Sequence, residues 1–264
     1  MKNRLTHIAI IALFLTIAGC QTNDLTLNKL KVDMVAETSA SSRLMSGGRI
    51  ASESDTVIFK SFLLGVTEIT LKSKEYGKER CKDDDDDDDQ NHEGDDDSNN
   101  ENNNSTSKWK IEGEFVVDVL AGTSTPDMSA DLPPDSITLH KMEIEFGPVL
   151  PDGNSVYINA IIVRGEDSLK VEFATQRKFE IHLKRKHGIQ INPSLDKLLV
   201  AYSIDKLFAG VDWSKAKVGE DGVIHLQDPD NAYISYKVKY NFIRLMRWGH
   251  DKNHDHRMDD HDDD

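Results

Sequence analysis

The last fifteen residues hold the densest group of side chains that could do chemistry. Residues 250–264 contain four histidines and seven aspartates. Imidazole nitrogens bind zinc, nickel and copper, and carboxylate oxygens suit calcium and magnesium. We therefore predict weak binding of calcium or zinc by this tail, with the ligands His250, His254, His256, His261, Asp255 and Asp259. A purely solubilising role is the alternative, because neither a helical nor a wrapped arrangement of these ligands is preorganised.

The rest of the chain carries no motif for catalysis. There is no glycine-rich phosphate loop, G-x-S-x-G elbow, H-E-x-x-H or C-x-x-C sequence. The four histidines of the central region fall on outward strand positions or in turns, where solvent exposure is expected: His140, His182, His187 and His225. We therefore predict that the protein is not an enzyme and needs no cofactor.

The N-terminus reads as a secretory leader that ends at a cysteine. Basic Lys2 and Arg4 precede an apolar run, residues 8–18, which is too short to span a bilayer. Small residues before Cys20 resemble the lipobox of bacterial lipoproteins, which implies cleavage after residue 19 and lipid on Cys20. Several acyl chains on one cysteine anchor a protein durably. Gln21 resembles the sorting signal for an outer membrane, so we expect a lipid-anchored protein of the bacterial cell envelope.

The formal net charge of -15 lies in two short segments. Residues 83–104 contain twelve acidic side chains and no lysine or arginine, and residues 250–264 contribute -5. Subtracting both segments leaves +2, which equals the leader's two basic residues. The body is therefore close to neutral, and with no basic surplus to neutralise phosphates we predict no nucleic-acid partner. The acidic segments cannot bury apolar surface, so we predict that the insert 82–107 and the tail 249–264 are disordered.

The other segments follow from composition and from hydrophobic periodicity. Residues 20–54 are rich in Ser, Thr, Asn and Gly, which predicts a lipidated, flexible tether after the signal peptide 1–19. Residues 55–248 show many short alternating segments, which predict one β-sandwich domain. The acidic insert then forms the loop of a long hairpin, and the turn at residues 151–154 forms a second hairpin. Cys81 has no partner cysteine if Cys20 carries lipid, and an idle thiol is the simplest reading.

The segment 231–247 fits two periodicities. Its even positions alternate like a strand, whereas Ile234, Val238, Phe242 and Leu245 share one helical face. Asp228 and Pro229 at its start and Gly249 after its end favour the helix. The predicted fold is therefore mainly β, an antiparallel β-sandwich with a C-terminal helix.

Five ordered segments resemble the DUF4382-type domain of bacterial surface lipoproteins, a family of unknown function. They are Val66–Leu71, Val117–Leu120, Leu132–Asp135, Pro151–Gly153 and Ala201–Phe208. The resemblance covers most of residues 55–247 and implies a single transthyretin-like or immunoglobulin-like sandwich without catalytic residues. The acidic insert and the His/Asp tail depart from the family pattern.

Two functions are compatible with these features. The first is a non-enzymatic lipoprotein, held on the membrane by Cys20, that acts as a binding or envelope-structural module for an unknown surface ligand or envelope protein. The second is a lipoprotein that sequesters or senses divalent metals with its acidic insert and its tail. A fold by itself names no ligand, so the choice depends on the surface.

Overall fold

A computed structural model of the chain describes residues 28–37, 44–45, 49–51, 56–73, 107–132, 137–191, 197–251 and 258. Within these ranges the chain forms one α-helix, four 3-10 turns and fourteen strands. The strands are β1 (Asn28–Glu37), β2 (Leu44–Met45), β3 (Arg49–Ala51), β4 (Thr56–Ser73), β5 (Lys108–Asp118), β6 (Thr123–Thr125), β7 (Ser129–Leu132), β8 (Ile137–Phe146), β9 (Val156–Arg164), β10 (Asp167–Thr175), β11 (Phe179–Ile191), β12 (Lys197–Ser203), β13 (Val223–His225) and β14 (Met246–His250). The helix is α1 (Ala232–Arg244), and the 3-10 turns are Pro151–Gly153, Ile204–Lys206, Trp213–Lys215 and Pro229–Asn231.

The strands build two sheets that enclose one apolar core. The smaller sheet has the order β14-β12-β1-β7, and the larger sheet follows the path β11-β8-β4-β9-β10-β13. The predicted class, mainly β with a C-terminal helix, is confirmed. Most strand pairs are antiparallel as predicted, but β1 with β12 and β10 with β13 are parallel, so both sheets are mixed.

The long strand β4 organises the larger sheet. Along one edge of β4, its first half pairs with β9 and its second half pairs with β8. Along the other edge, β4 pairs with β3 and β5. Strands β8 and β9 therefore follow each other along one edge of β4 and do not pair with each other. The predicted hairpin at residues 151–154 is wrong, although the turn itself is present with Asp152 at a φ of 62°. The hairpin predicted around the acidic insert is confirmed by the antiparallel pairing of β4 with β5.

Gly65 lies where β8 ends and β9 begins. Its backbone N–H donates to Ser155, and its carbonyl accepts from the N–H of Gly147. A Cβ at this position would lie 2.4 Å from the Gly147 oxygen and 2.6 Å from a methyl of Val149. The junction is possible because no side chain separates these backbones.

Strand β1 corrects the prediction of a flexible tether over residues 20–54. Leu30, Val32 and Met34 are buried in the core, while the charged residues between them point the other way. The strand lies between β12 and β7, so the sandwich includes Asn28–Glu37 and does not start at residue 55. The alternation is as regular as in the other strands, but the average composition of the segment conceals it.

The C-terminal boundary also lies later than predicted. Strand β14 continues to His250, and Asp251 is completely buried. The first three residues of the tail predicted for 249–264 therefore belong to the folded domain. Met258 packs on the outer face of the smaller sheet against Val35, Leu199 and Ala201. The strand β12 is covered on both faces and lies between β1 and β14.

Phe242 of α1 joins the helix to both sheets. Its ring centroid lies 6.2 Å from those of Phe62, Phe146 and Phe179 in the larger sheet and 5.8 Å from that of Tyr202 in the smaller sheet. The helical alternative is thus confirmed for Ala232–Arg244, because burial of this face outweighs the β propensity of its tyrosines and valine, whereas Met246 and Arg247 belong to β14.

Replacing Phe242 by alanine should lower the free energy of unfolding by about 3–5 kcal/mol, because it opens a cavity between the helix and both sheets. Urea denaturation measures this loss. Tyr236→Ala on the same helix is the control, since that side chain is 71% exposed and its loss should change stability by less than about 0.5 kcal/mol. Equal effects of the two substitutions would contradict the packing described above.

Candidate functional site

A cleft of about 460 Å³ opens where the two sheets meet along one side of the sandwich. It lies between β11 and β14, which are the edge strands of their sheets and do not pair with each other. Strand β11 bulges here. Lys184 lies opposite Lys141 of β8 and Ile189 lies opposite Leu139, so β11 has three more residues than β8 between these two pairs. Gly188 completes the bulge at a φ of 71°, a conformation that favours glycine.

The lining of this cleft, which we call the basic cleft, is cationic over an apolar base. Leu183, Met246 and Trp248 are buried residues of the base. The basic side chains are His182, Lys184, Arg185, Lys186, His187 and Arg247. The volume is within the range of small-ligand sites, which are about 300–1,000 Å³.

Local ion pairs neutralise part of this charge. Arg247 Nη2 lies 3.1 Å from Glu37, and His182 Nε2 lies 3.1 Å from Glu180. Lys184 and Lys186 are exposed and have no ion pair within the described part of the chain. The cleft therefore keeps a positive charge available to a ligand.

Two buried nitrogens near the cleft have no hydrogen-bond partner among the residues that the structure describes. The indole Nε1–H of Trp248, a residue that lines the cleft, has no acceptor among the described residues. Nε2 of His140 is likewise buried without a partner, under the bulge, where its ring lies 2.9 Å from the position of a Cβ on Gly188. The solvent exposure predicted for His140 is wrong, because the bulge of β11 covers its ring.

Protection of an edge strand explains some of these features. Soluble proteins place charges and bulges on edge strands to prevent pairing with another chain, which accounts for the run Lys184–Lys186. It does not account for the concave volume between the two sheet edges.

A second group of polar residues has the composition of a metal site but not its electrostatics. Single ligand atoms of Glu143, Glu180 and His182 lie within 4.8 Å of one another. Glu143, however, accepts from Lys72 at 2.5 Å and also from Lys141. Burial by itself would raise the pKa of Glu143, but these two ammonium groups lower it to about 2. The ammonium groups of Lys72 and Lys141 already contact the Glu143 carboxylate and would repel a metal ion. We therefore interpret this group as an ion-pair network.

The other predicted site residues divide between described and undescribed parts of the chain. His250 ends β14, whereas His254, His256, His261, Asp255, Asp259 and Cys20 lie outside the described residues. Metal binding by the tail and lipid on Cys20 therefore stay predictions. His182 and His187 are exposed as predicted. Sequence reasoning missed the basic cleft, although Lys184–Gly188 interrupts the alternation of its strand with a basic run and a glycine, which is a signal for a bulge.

His225 is held between two carboxylates. Its Nε2 lies 2.9 Å from Asp221 and its Nδ1 lies 3.1 Å from Glu172 of β10. Glu172 also accepts from Gln227 and Tyr157. The hydrogen bond to Asp221 raises the pKa of His225 against the opposing effect of burial, and the contact with Glu172 raises it further. The hydrogen bond from His225 in turn lowers the pKa of Asp221.

These shifts predict a pH-dependent contribution to stability. Because the pKa of His225 is raised in the folded state, His225 adds to the free energy of unfolding. This contribution is complete below pH 6.5, the ordinary pKa of histidine, and is lost as the pH rises through the folded-state pKa. The lowered pKa of Asp221 also adds to the free energy of unfolding. That contribution is present above pH 3.8 and is lost as the pH falls below this value. The melting temperature of the wild type should therefore exceed that of His225→Asn most between pH 4 and 6.5, by an amount that shrinks above this range. His187→Asn, an exposed histidine, is the control, and a difference independent of pH would refute the assignment.

Comparison with protein-family models, with curated protein sequences and with solved structures finds no match to this chain. The resemblance to the DUF4382-type domain therefore stays a prediction. Within the described residues, no helix is both long enough and apolar enough to cross a membrane.

Proposed function

We propose that this chain is a non-enzymatic envelope lipoprotein, anchored by lipid on Cys20, that binds an anionic ligand in the basic cleft. The observation that carries the proposal is the cleft itself. Lys184 and Lys186 line it, are exposed, and have no ion pair within the described part of the chain. Phosphate, sulfate and carboxylate groups would bind there, since an oxygen anion pairs with ammonium groups and accepts their hydrogen bonds.

The position of β1 limits how far the domain can lie from its anchor. Cys20 and Asn28 are eight residues apart, so an extended chain separates them by at most about 29 Å. An anchored domain would therefore stay close to the membrane surface. Ligands within its reach would be the anionic groups of the envelope, such as phosphorylated or acidic polymers and the headgroups of lipids.

The anchor is tested by replacing Cys20 with serine in the producing bacterium. We expect the wild type to incorporate labelled fatty acid and to enter the detergent phase on extraction, because acyl chains add about 0.8 kcal/mol of membrane affinity per buried methylene. Cys20→Ser should lose both properties. Cys81→Ser is the matched control and should keep them. Labelling that survives in the Cys20 variant would refute the anchor.

The cleft is tested with inorganic triphosphate as the probe, in calorimetric titrations of the mature chain. Lys186→Glu should weaken binding at least about fivefold, since one attractive charge is replaced by a repulsive one. Trp248→Phe should bind like the wild type, because the indole nitrogen that it removes is buried away from solvent. Lys170→Glu on β10, an exposed lysine that does not line the cleft, should bind like the wild type. Equal affinities in all four proteins would refute the site.

A further inference from the structure

The registers of four adjacent strands bring lysines into one row. Lys72 of β4 lies opposite Lys108 of β5 on one side and opposite Lys141 of β8 on the other. Lys141 in turn lies opposite Lys184 of β11. Neighbouring strands are about 4.8 Å apart, so this lysine row, Lys108-Lys72-Lys141-Lys184, is about 14 Å long.

A parallel row of four glutamates runs along the same face. Glu68 lies opposite Glu112 and Glu145, and Glu145 lies opposite Glu180. In each strand the glutamate is four residues from the lysine, and the order reverses from strand to strand because the strands are antiparallel. The face therefore carries a positive band and a negative band side by side.

Like charges directly opposite each other on neighbouring strands destabilise a sheet. Only one carboxylate among the described residues bonds to the lysine row, that of Glu143, which contacts the two inner lysines Lys72 and Lys141. The outer lysines Lys108 and Lys184 are exposed and have no ion pair within the described part of the chain. The row thus presents four positive charges against one negative charge. Repulsion between the lysines lowers the stability of the sheet, and the arrangement gives the fold no benefit of its own.

The lysine row is continuous with the basic cleft. Lys184 is the last member of the row and also lines the cleft, where Lys186 and Arg247 follow. A small anion would occupy the cleft alone and leave the row unused. A linear chain of anionic groups would contact both, and the glutamate row would keep it on the positive side of the face.

We propose that the ligand of the basic cleft is a linear polyanion that extends from the cleft along the lysine row. This inference rests on the proposed function and specifies its ligand class: an extended polymer of phosphate, sulfate or carboxylate groups. The affinity of such a ligand should depend on its length and strongly on salt, because each neutralised charge releases a counterion.

The test compares inorganic triphosphate with long-chain polyphosphate as probes of the full mature chain over a series of salt concentrations. Lys108→Gln is the decisive variant, because Lys108 belongs to the row but does not line the cleft. We expect it to weaken polyphosphate binding by up to about fivefold, and to reduce the slope of log affinity against log salt by about one. Triphosphate binding should not change. Lys170→Gln, with the same loss of charge elsewhere, should leave both probes unaffected.

A second protein background guards against competition from the chain itself. Asp83–Asp89 follow β4 after a short connection and carry the same charge as the probe, so all titrations are repeated with these seven residues changed to asparagine. Tighter polyphosphate binding in that background, lost again on Lys108→Gln, would support the row. An unchanged polyphosphate affinity and salt slope in Lys108→Gln in both backgrounds would overturn it, while triphosphate binding that depends on Lys186 would leave the cleft standing. Failure of both probes in both backgrounds would overturn the proposed function as well.

Discussion

The pairing of β4 is the constraint on which the larger sheet depends. Its eighteen residues receive β9 and then β8 along one edge, and β3 and β5 along the other. Strands β10 and β11 are added through β9 and β8. Because side chains alternate with a period of two, a slip of one residue would move Phe62, Ile69 and Leu71 of β4 out of the core. The core and the outer face of this sheet are therefore set by the same register.

That register has an electrostatic consequence on the solvent side. Burial of apolar residues at alternate positions forces the charged residues between them into cross-strand rows, whether their charges attract or repel. Lys72 and Lys141 share Glu143, and Lys110 and Lys178 pair with Glu68 and Glu145. The row ends at β11, the edge strand of the larger sheet among the described residues, and the bulge of β11 forms one wall of the basic cleft. A body with almost no net charge thus gains a strongly positive band by the separation of its charges.

Periodicity predicted most of the elements because it is a local property. The long alternating strands, the doubly covered β12 and the amphipathic α1 all follow from the spacing of apolar residues. Strand partners were harder to predict. Pro151–Gly153 is a real turn, but the chain after it continues along β4, because β8 and β9 both pair with β4 and not with each other. His140 shows the same limit, since it is covered by the bulge of β11, which lies more than 40 residues away in the chain.

Composition and local spacing were enough to predict the class of the fold, the helix, the near-neutral charge of the body and a lipid anchor on Cys20, because each depends on residue content or on neighbours within a few residues. The folded structure was needed to show which lysines share a row, where two sheet edges leave a cleft and which histidine the bulge covers. These features depend on strand register between residues far apart in the chain, and register is chosen by the packing of the whole core.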